Sequence, residues 1–152
     1  MAAMSEQWVD AGPFRAHLRH LMAVGDLTAT EVATLAGVSP RMTGSLLQGR
    51  GGRPLRRIDP DSARALITVT SYQARSLRSR QVPAAESCAR LRRLVTDGVE
   101  LDDLADRLEV APAVLTGLAD GSASWCTGLL ALRLVVAVRA LSERTAPAGI
   151  AA

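Results

Sequence analysis

A chain of 152 residues is long enough for one ordinary domain or two very small ones. Hydrophobic residues make up 48% of it, which allows a packed core and argues against a disordered chain. The formal net charge is +3, and every basic residue is an arginine. A GC-rich coding genome and the two-point pairing of guanidinium with phosphate both account for that choice.

The aromatic set is only Trp8, Phe14, Tyr72 and Trp125, so Leu, Val, Ala and Met must build the core. That composition favours helices over a sheet. Residues 1–10 carry acids and no apolar run, which argues against a signal peptide. Pro13 opens a first helix, where Phe14, Leu18, Leu21 and Met22 recur at helical spacing until Gly25. Thr28-Ala29-Thr30-Glu31 has the form of a capping box, and a second helix follows to Gly37. Ser39-Pro40 supplies an N-cap and a first-turn proline for a third helix, which ends at Gly49. Asp59-Pro60 repeats that signal for a fourth helix carrying Ala63, Leu66 and Ile67. Residues 68–72 are β-branched and ambiguous, 73–80 read as an exposed helix, and no strand pattern stands out.

Gln81-Val82-Pro83 marks a boundary, giving units at 1–83 and 84–152. Beyond it the pattern recurs 72 residues on. Gly37-Val38-Ser39-Pro40 aligns with Glu109-Val110-Ala111-Pro112, Ala33 with Ala105, Leu46 with Leu118, and Gly49 with Gly121. The expected fold is all-α, as two tandem small helical units, each with a helix-turn-helix. Residues 128–141 are strongly apolar, but Arg133 and Arg139 interrupt them and they fall short of a membrane span of ~18 residues. A helix over 127–141, apolar nearly all round, must be buried, either in its own unit or in a homodimer interface.

Ala33 lets two helices approach, Gly37 suits a left-handed turn, Val38 plugs the angle and Leu46 anchors the next helix. With these residues the segment TATEVATLAGVSPRMTGSLLQGR resembles the lambda-repressor-like, Xre-type helix-turn-helix group, as found in regulators of actinobacteria and their phages. The resemblance covers residues 27–50 and extends loosely to Thr70. Thr43 departs from the Val or Ile of that group, and Gly44 weakens the third helix by about 1 kcal/mol relative to Ala.

The resemblance implies that helix 40–48 lies in the major groove of double-stranded DNA. Its implied contacts are Pro40, Arg41, Thr43, Ser45 and Gln48, with Arg41 on a guanine and Ser39 at a phosphate. The loop after it carries Arg50, Arg53, Arg56 and Arg57 and no acid, a phosphate-binding composition. Residues 1–83 hold 11 Arg against 6 acids, and residues 84–152 hold 7 Arg against 9 acids. The basic half is therefore the expected DNA-binding one, and the acidic half a non-reading scaffold for dimerisation or partner binding.

Cys88 and Cys126 lack zinc spacing and read as buried thiols in a reducing cytoplasm. His17 and His20 share a helical face, with no carboxylate or thiol completing a metal set. No nucleotide loop and no activated nucleophile stands out. The sequence thus reads as a cytoplasmic DNA-binding transcriptional regulator, a repressor by preference. It reads as no enzyme, with no cofactor, no metal and no membrane partner. The alternative is a helical protein–protein adaptor that does not bind DNA.

Overall fold

The computed structural model describes residues 7–146, so most of the 1–10 segment read for a leader lies outside the described residues. The fold is mainly helical. The chain divides into two compact units, Met1–Leu77 and Arg78–Ala152. The division falls a few residues before the Gln81-Val82-Pro83 punctuation because those three residues form a strand with the second unit. There, β3 (Gln81–Pro83) pairs antiparallel with β4 (Trp125–Thr127), Val82 opposite Cys126.

In the first unit, β1 (Val9–Asp10) leads into α1 (Ala11–Gly25), α2 (Ala29–Ala36) and α3 (Pro40–Gln48). Then come β2 (Arg57–Ile58), α4 (Pro60–Thr68) and α5 (Ser71–Ser76), with Val9 paired to Ile58. The starts follow local chemistry. Thr28 and Glu31 close a reciprocal capping box at 3.1 and 3.0 Å. Ser39 caps the Met42 amide at 3.2 Å, and Asp59 caps the Ser62 amide at 2.9 Å. Thr70 and Gln73 form a second capping box, so the ambiguous 68–72 stretch is a helix end, a corner and a helix start.

Leu18, Leu21, Val32, Ala33, Leu46 and Leu66 are fully buried, each large side chain worth ~1.5–3 kcal/mol when removed from water. His17 Nε2 lies 3.1 Å from the Leu66 carbonyl and 2.9 Å from that of Val69. Two carbonyl acceptors require that nitrogen to carry the proton. His17 therefore ties α1 to the end of α4. His20 bonds the Ser71 hydroxyl at 2.9 Å.

The second unit continues from β3 through α6 (Ala85–Thr96), α7 (Leu101–Leu108), α8 (Pro112–Ala119), β4 and α9 (Gly128–Thr145). Its core gathers Leu91, Leu94, Leu104, Ala105, Leu115, Leu118, Leu130 and Leu134. Cys88 and Cys126 are free and buried, and the Cys126 thiol reaches the Ser87 hydroxyl at 3.5 Å.

The backbone pattern of the first unit recurs 72 residues on. The Leu27 amide donates to the Met22 carbonyl at 2.9 Å, and Val99 to Leu94 at 3.0 Å. Val38 donates to Ala33 at 3.0 Å, and Val110 to Ala105 at 3.1 Å. Positive φ angles fall in the same places: Asp26 (50°) and Gly98 (95°), Gly37 (78°) and Glu109 (56°), Gly49 (74°) and Gly121 (78°).

One expectation changes. Short strands exist where no alternation was visible, because two or three residues are too few for a period of two and form only when their partner arrives. Of the two settings expected for the helix at 127–141, its own unit supplies cover for part of it. Gly128, Leu129, Leu130, Leu132 and Leu134 are buried, while Ala137, Val138 and Leu141 pack on the second unit's core. Val135 and Val136 stay half-buried.

Candidate functional site

The arginine loop is a built structure. Gly49 leaves α3 at φ 74°, ψ −171°, a combination open essentially to glycine alone. Arg50 and Arg53 then exchange backbone hydrogen bonds at 2.9 and 3.1 Å across Gly51 and Gly52. Both glycines have positive φ (59° and 76°), as a primed two-residue hairpin turn requires. The pairing sets two like charges opposite each other, which opposes folding unless an anion balances them.

Arg15 on α1 holds this loop to α3. Its Nε donates to the Leu46 carbonyl at 2.7 Å, and its Nη2 to the Leu55 carbonyl. Leu46 lies in the last turn of α3, where helical carbonyls have no intrahelical partner. One guanidinium therefore caps a helix and anchors the loop. Nothing local in the sequence signals this role, since the partners lie 31 and 40 residues away.

A cleft of about 500 Å³ opens beside this anchor, lined by Trp8, Asp10, Arg15, Arg56 and Arg57 among others. Trp8 is 55% exposed. Arg50, Arg53, Arg56 and Arg57 are exposed, and among the described residues none of their guanidiniums has an ion pair or hydrogen bond. A flat aromatic face beside unpaired guanidinium forks suits a heteroaromatic ring linked to phosphates.

The residues expected on the third helix are partly rearranged. Arg41 and Gln48 are exposed, and Pro40 and Ser45 half-buried. Ser39 is exposed, but its hydroxyl accepts from Met42 and caps the helix. Thr43 is a correction. It is fully buried, its hydroxyl donating to the Ala29 and Pro40 carbonyls at 3.3 and 3.0 Å, so it offers nothing to a ligand. Its place one turn before the Leu46 anchor puts it on the same inward face, a signal the sequence did contain.

The second unit holds a different kind of space. A cavity of about 360 Å³ lies between α8, β4 and the start of α9, walled mainly by aliphatic side chains. The acids of α7 stay on the surface, where Glu109 stands 3.9 Å from Arg133, which also donates to the Leu108 carbonyl at 3.1 Å. Two carboxyls have lowered pKa values. Asp59 is lowered chiefly by the Ser62 backbone amide, and Asp120 by the Ser122 hydroxyl and then its amide. Among the described residues, no group of three or more His, Cys, Asp or Glu is placed to hold a metal ion. No described helix is long and apolar enough to cross a membrane.

Comparison with protein families matches residues 87–152 to the CDP-alcohol phosphatidyltransferase family. The match covers less than half of the chain and lies within the second unit. No curated protein and no solved structure matches. The family is one of membrane enzymes, so the match overturns the reading as a lambda-repressor-like regulator of transcription. It also overturns the partner expected with that reading, double-stranded DNA, and the adaptor alternative. The expectations of no enzyme and no membrane fall with them. The physical source of the misreading is plain: guanidinium forks recognise phosphate oxygens, and a DNA backbone, a lipid headgroup and a nucleotide all present them.

Proposed function

We propose that this chain acts in phospholipid synthesis at the cytoplasmic surface of a membrane, as a small enzyme of CDP-alcohol chemistry. The family match over residues 87–152 carries the reading. In that chemistry an acceptor hydroxyl oxygen forms a bond to the β-phosphorus of the CDP-alcohol. The P–O bond to the bridging oxygen breaks, CMP leaves with the electron pair, and the hydroxyl proton passes to solvent.

The first-unit cleft suits the nucleotide end of such a substrate. Trp8 offers a stacking face for cytosine, and Arg56 and Arg57 offer forks for the diphosphate. Arg50 and Arg53 add an acid-free field that attracts an anionic surface. The α2–α3 and α7–α8 hairpins, in this reading, are one helix-turn-helix-like scaffold used twice. Two free, buried thiols suit a reducing compartment.

The test incubates the purified full chain with CDP-diacylglycerol in mixed micelles and a panel of small alcohols, with CMP release read by chromatography. Release should depend on an acceptor and fall about tenfold in Arg56→Ala or Arg57→Ala, the effect of one charged hydrogen bond of ~1.5 kcal/mol. Absence of CMP release, together with no quenching of Trp8 by CDP in a Trp125→Phe variant, would refute the reading.

A further inference from the structure

We infer that the cavity between α8, β4 and α9 is a binding site for a single alkyl or acyl chain. Its walls are Val110, Val114, Leu118 and Leu130, and no charged side chain lines it. A volume of about 360 Å³ lies within the range of small-molecule sites, which are mostly apolar with a few polar groups that fix orientation. Gln81 and Thr127 supply those groups on the β3–β4 side, where a carbonyl or hydroxyl end of the ligand would sit.

The mouth gives the second argument. Trp125 is 60% exposed and Val114 is 44% exposed, and both border this one cavity. An indole and an isopropyl group left in water beside an apolar hollow mark an apolar ligand site rather than ordinary surface. The buried neighbours are committed elsewhere: Leu118 and Leu130 belong to the core, and Cys126 is engaged with Ser87. The inference rests on this lining and not on the nucleotide reading of the first-unit cleft.

The experiment uses the full-length Trp8→Phe variant, in which Trp125 is the only tryptophan. Its fluorescence is titrated with monomeric dodecanoate and, separately, with phosphatidylcholine vesicles, no nucleotide being present. A saturable blue shift with dodecanoate is expected. Two further variants sit at exposed lining positions, so the core is left intact: Ala113→Phe fills the space and Val114→Glu places a charge at its mouth. Each should weaken the shift at least tenfold with the melting temperature held.

A shift seen only with vesicles still supports the site if Ala113→Phe weakens it, the chain then being drawn from the bilayer. A vesicle shift indifferent to Ala113→Phe overturns the inference, because Trp125 would then be resting on the membrane surface. No shift with either probe overturns it as well. The nucleotide reading is scored separately, through Trp8 and CMP release, so the two can fail independently.

Discussion

Replacing Gly49 by alanine tests the backbone on which the arginine loop is built, and Gly37→Ala is its internal reference. Gly37 lies at φ 78°, ψ 25°, with nothing within 4 Å of an added Cβ. Its cost is the left-handed penalty of ~1–2 kcal/mol, offset by ~0.4–1 kcal/mol from a less flexible unfolded chain, or about 1 kcal/mol net. At Gly49 a Cβ would stand 2.0 Å from the Arg53 carbonyl oxygen and 2.7 Å from its carbon. Both atoms are backbone, so no rotamer change relieves the overlap. The loop must move, losing the paired Arg50–Arg53 hydrogen bonds at ~0.5–1.5 kcal/mol each. The disfavoured φ/ψ adds ~1–3 kcal/mol. Gly49→Ala should therefore cost ~3 kcal/mol or more, about three times the reference. Thermal denaturation followed by circular dichroism should show a fall of ~12 °C or more, against ~4 °C for Gly37→Ala. Hydrogen exchange at the Arg50 and Arg53 amides should quicken in Gly49→Ala alone. Equal losses in the two variants would refute the claim that the loop is held by close backbone approach.

Three other outcomes follow from the same structure. Arg15→Met removes both guanidinium bonds to the Leu46 and Leu55 carbonyls and should cost ~2 kcal/mol, water replacing part of what is lost at this half-buried position. Chemical denaturation reads that loss, and an unchanged midpoint would remove Arg15 from its anchoring role. Asp59→Ala should cost ~1 kcal/mol as the α4 cap is lost, while Asp59→Asn should retain most of it. Because the folded Asp59 pKa is lowered, its contribution is present above the unfolded value near 3.8 and is lost as pH falls through the folded one. The wild-type stability curve should drop more steeply than that of Asp59→Asn below about pH 4, and parallel curves would sink the assignment. Glu109 holds a left-handed turn at φ 56°, so Glu109→Gly should stabilise by up to ~1 kcal/mol after loss of its long, half-exposed pairing with Arg133. A clear loss of stability would show that the pairing outweighs the strain.

Local chemistry explains what the sequence made visible. Capping boxes, Ser-Pro and Asp-Pro starts and the Gly37 turn act within four residues, so their geometry can be read from adjacent letters. What stayed hidden depends on distant partners. The β1–β2 and β3–β4 ribbons join segments more than forty residues apart, and each strand is too short to carry a period. The anchoring role of Arg15 has no local signal, because nothing near it in sequence names Leu46 or Leu55. Arg50, Arg53, Arg56 and Arg57 read as a phosphate-binding composition, but a guanidinium does not encode which molecule carries the phosphate. The apolar cavity is assembled from three elements and has no signature in any one of them.

The recurring backbone pattern also locates where the two units come to differ. In both, a glycine with positive φ ends the third helix, and a connecting segment then leads to a strand and the N-cap of the next helix. In the first unit that segment supplies Arg53, Pro54, Arg56 and Arg57 around charged openings. In the second it is shorter and supplies Ala123, Trp125 and Thr127 to an uncharged cavity. The helices before it bury the same kind of leucine core in each case. A loop fixed at both ends by caps and strand pairing can change its side chains without disturbing that core, which is why ligand chemistry gathers on such segments. The two connecting segments are therefore where the linings of the two openings differ, charged in the first unit and uncharged in the second, while the α7–α8 hairpin adds Val110, Val114 and Leu118 to the apolar one.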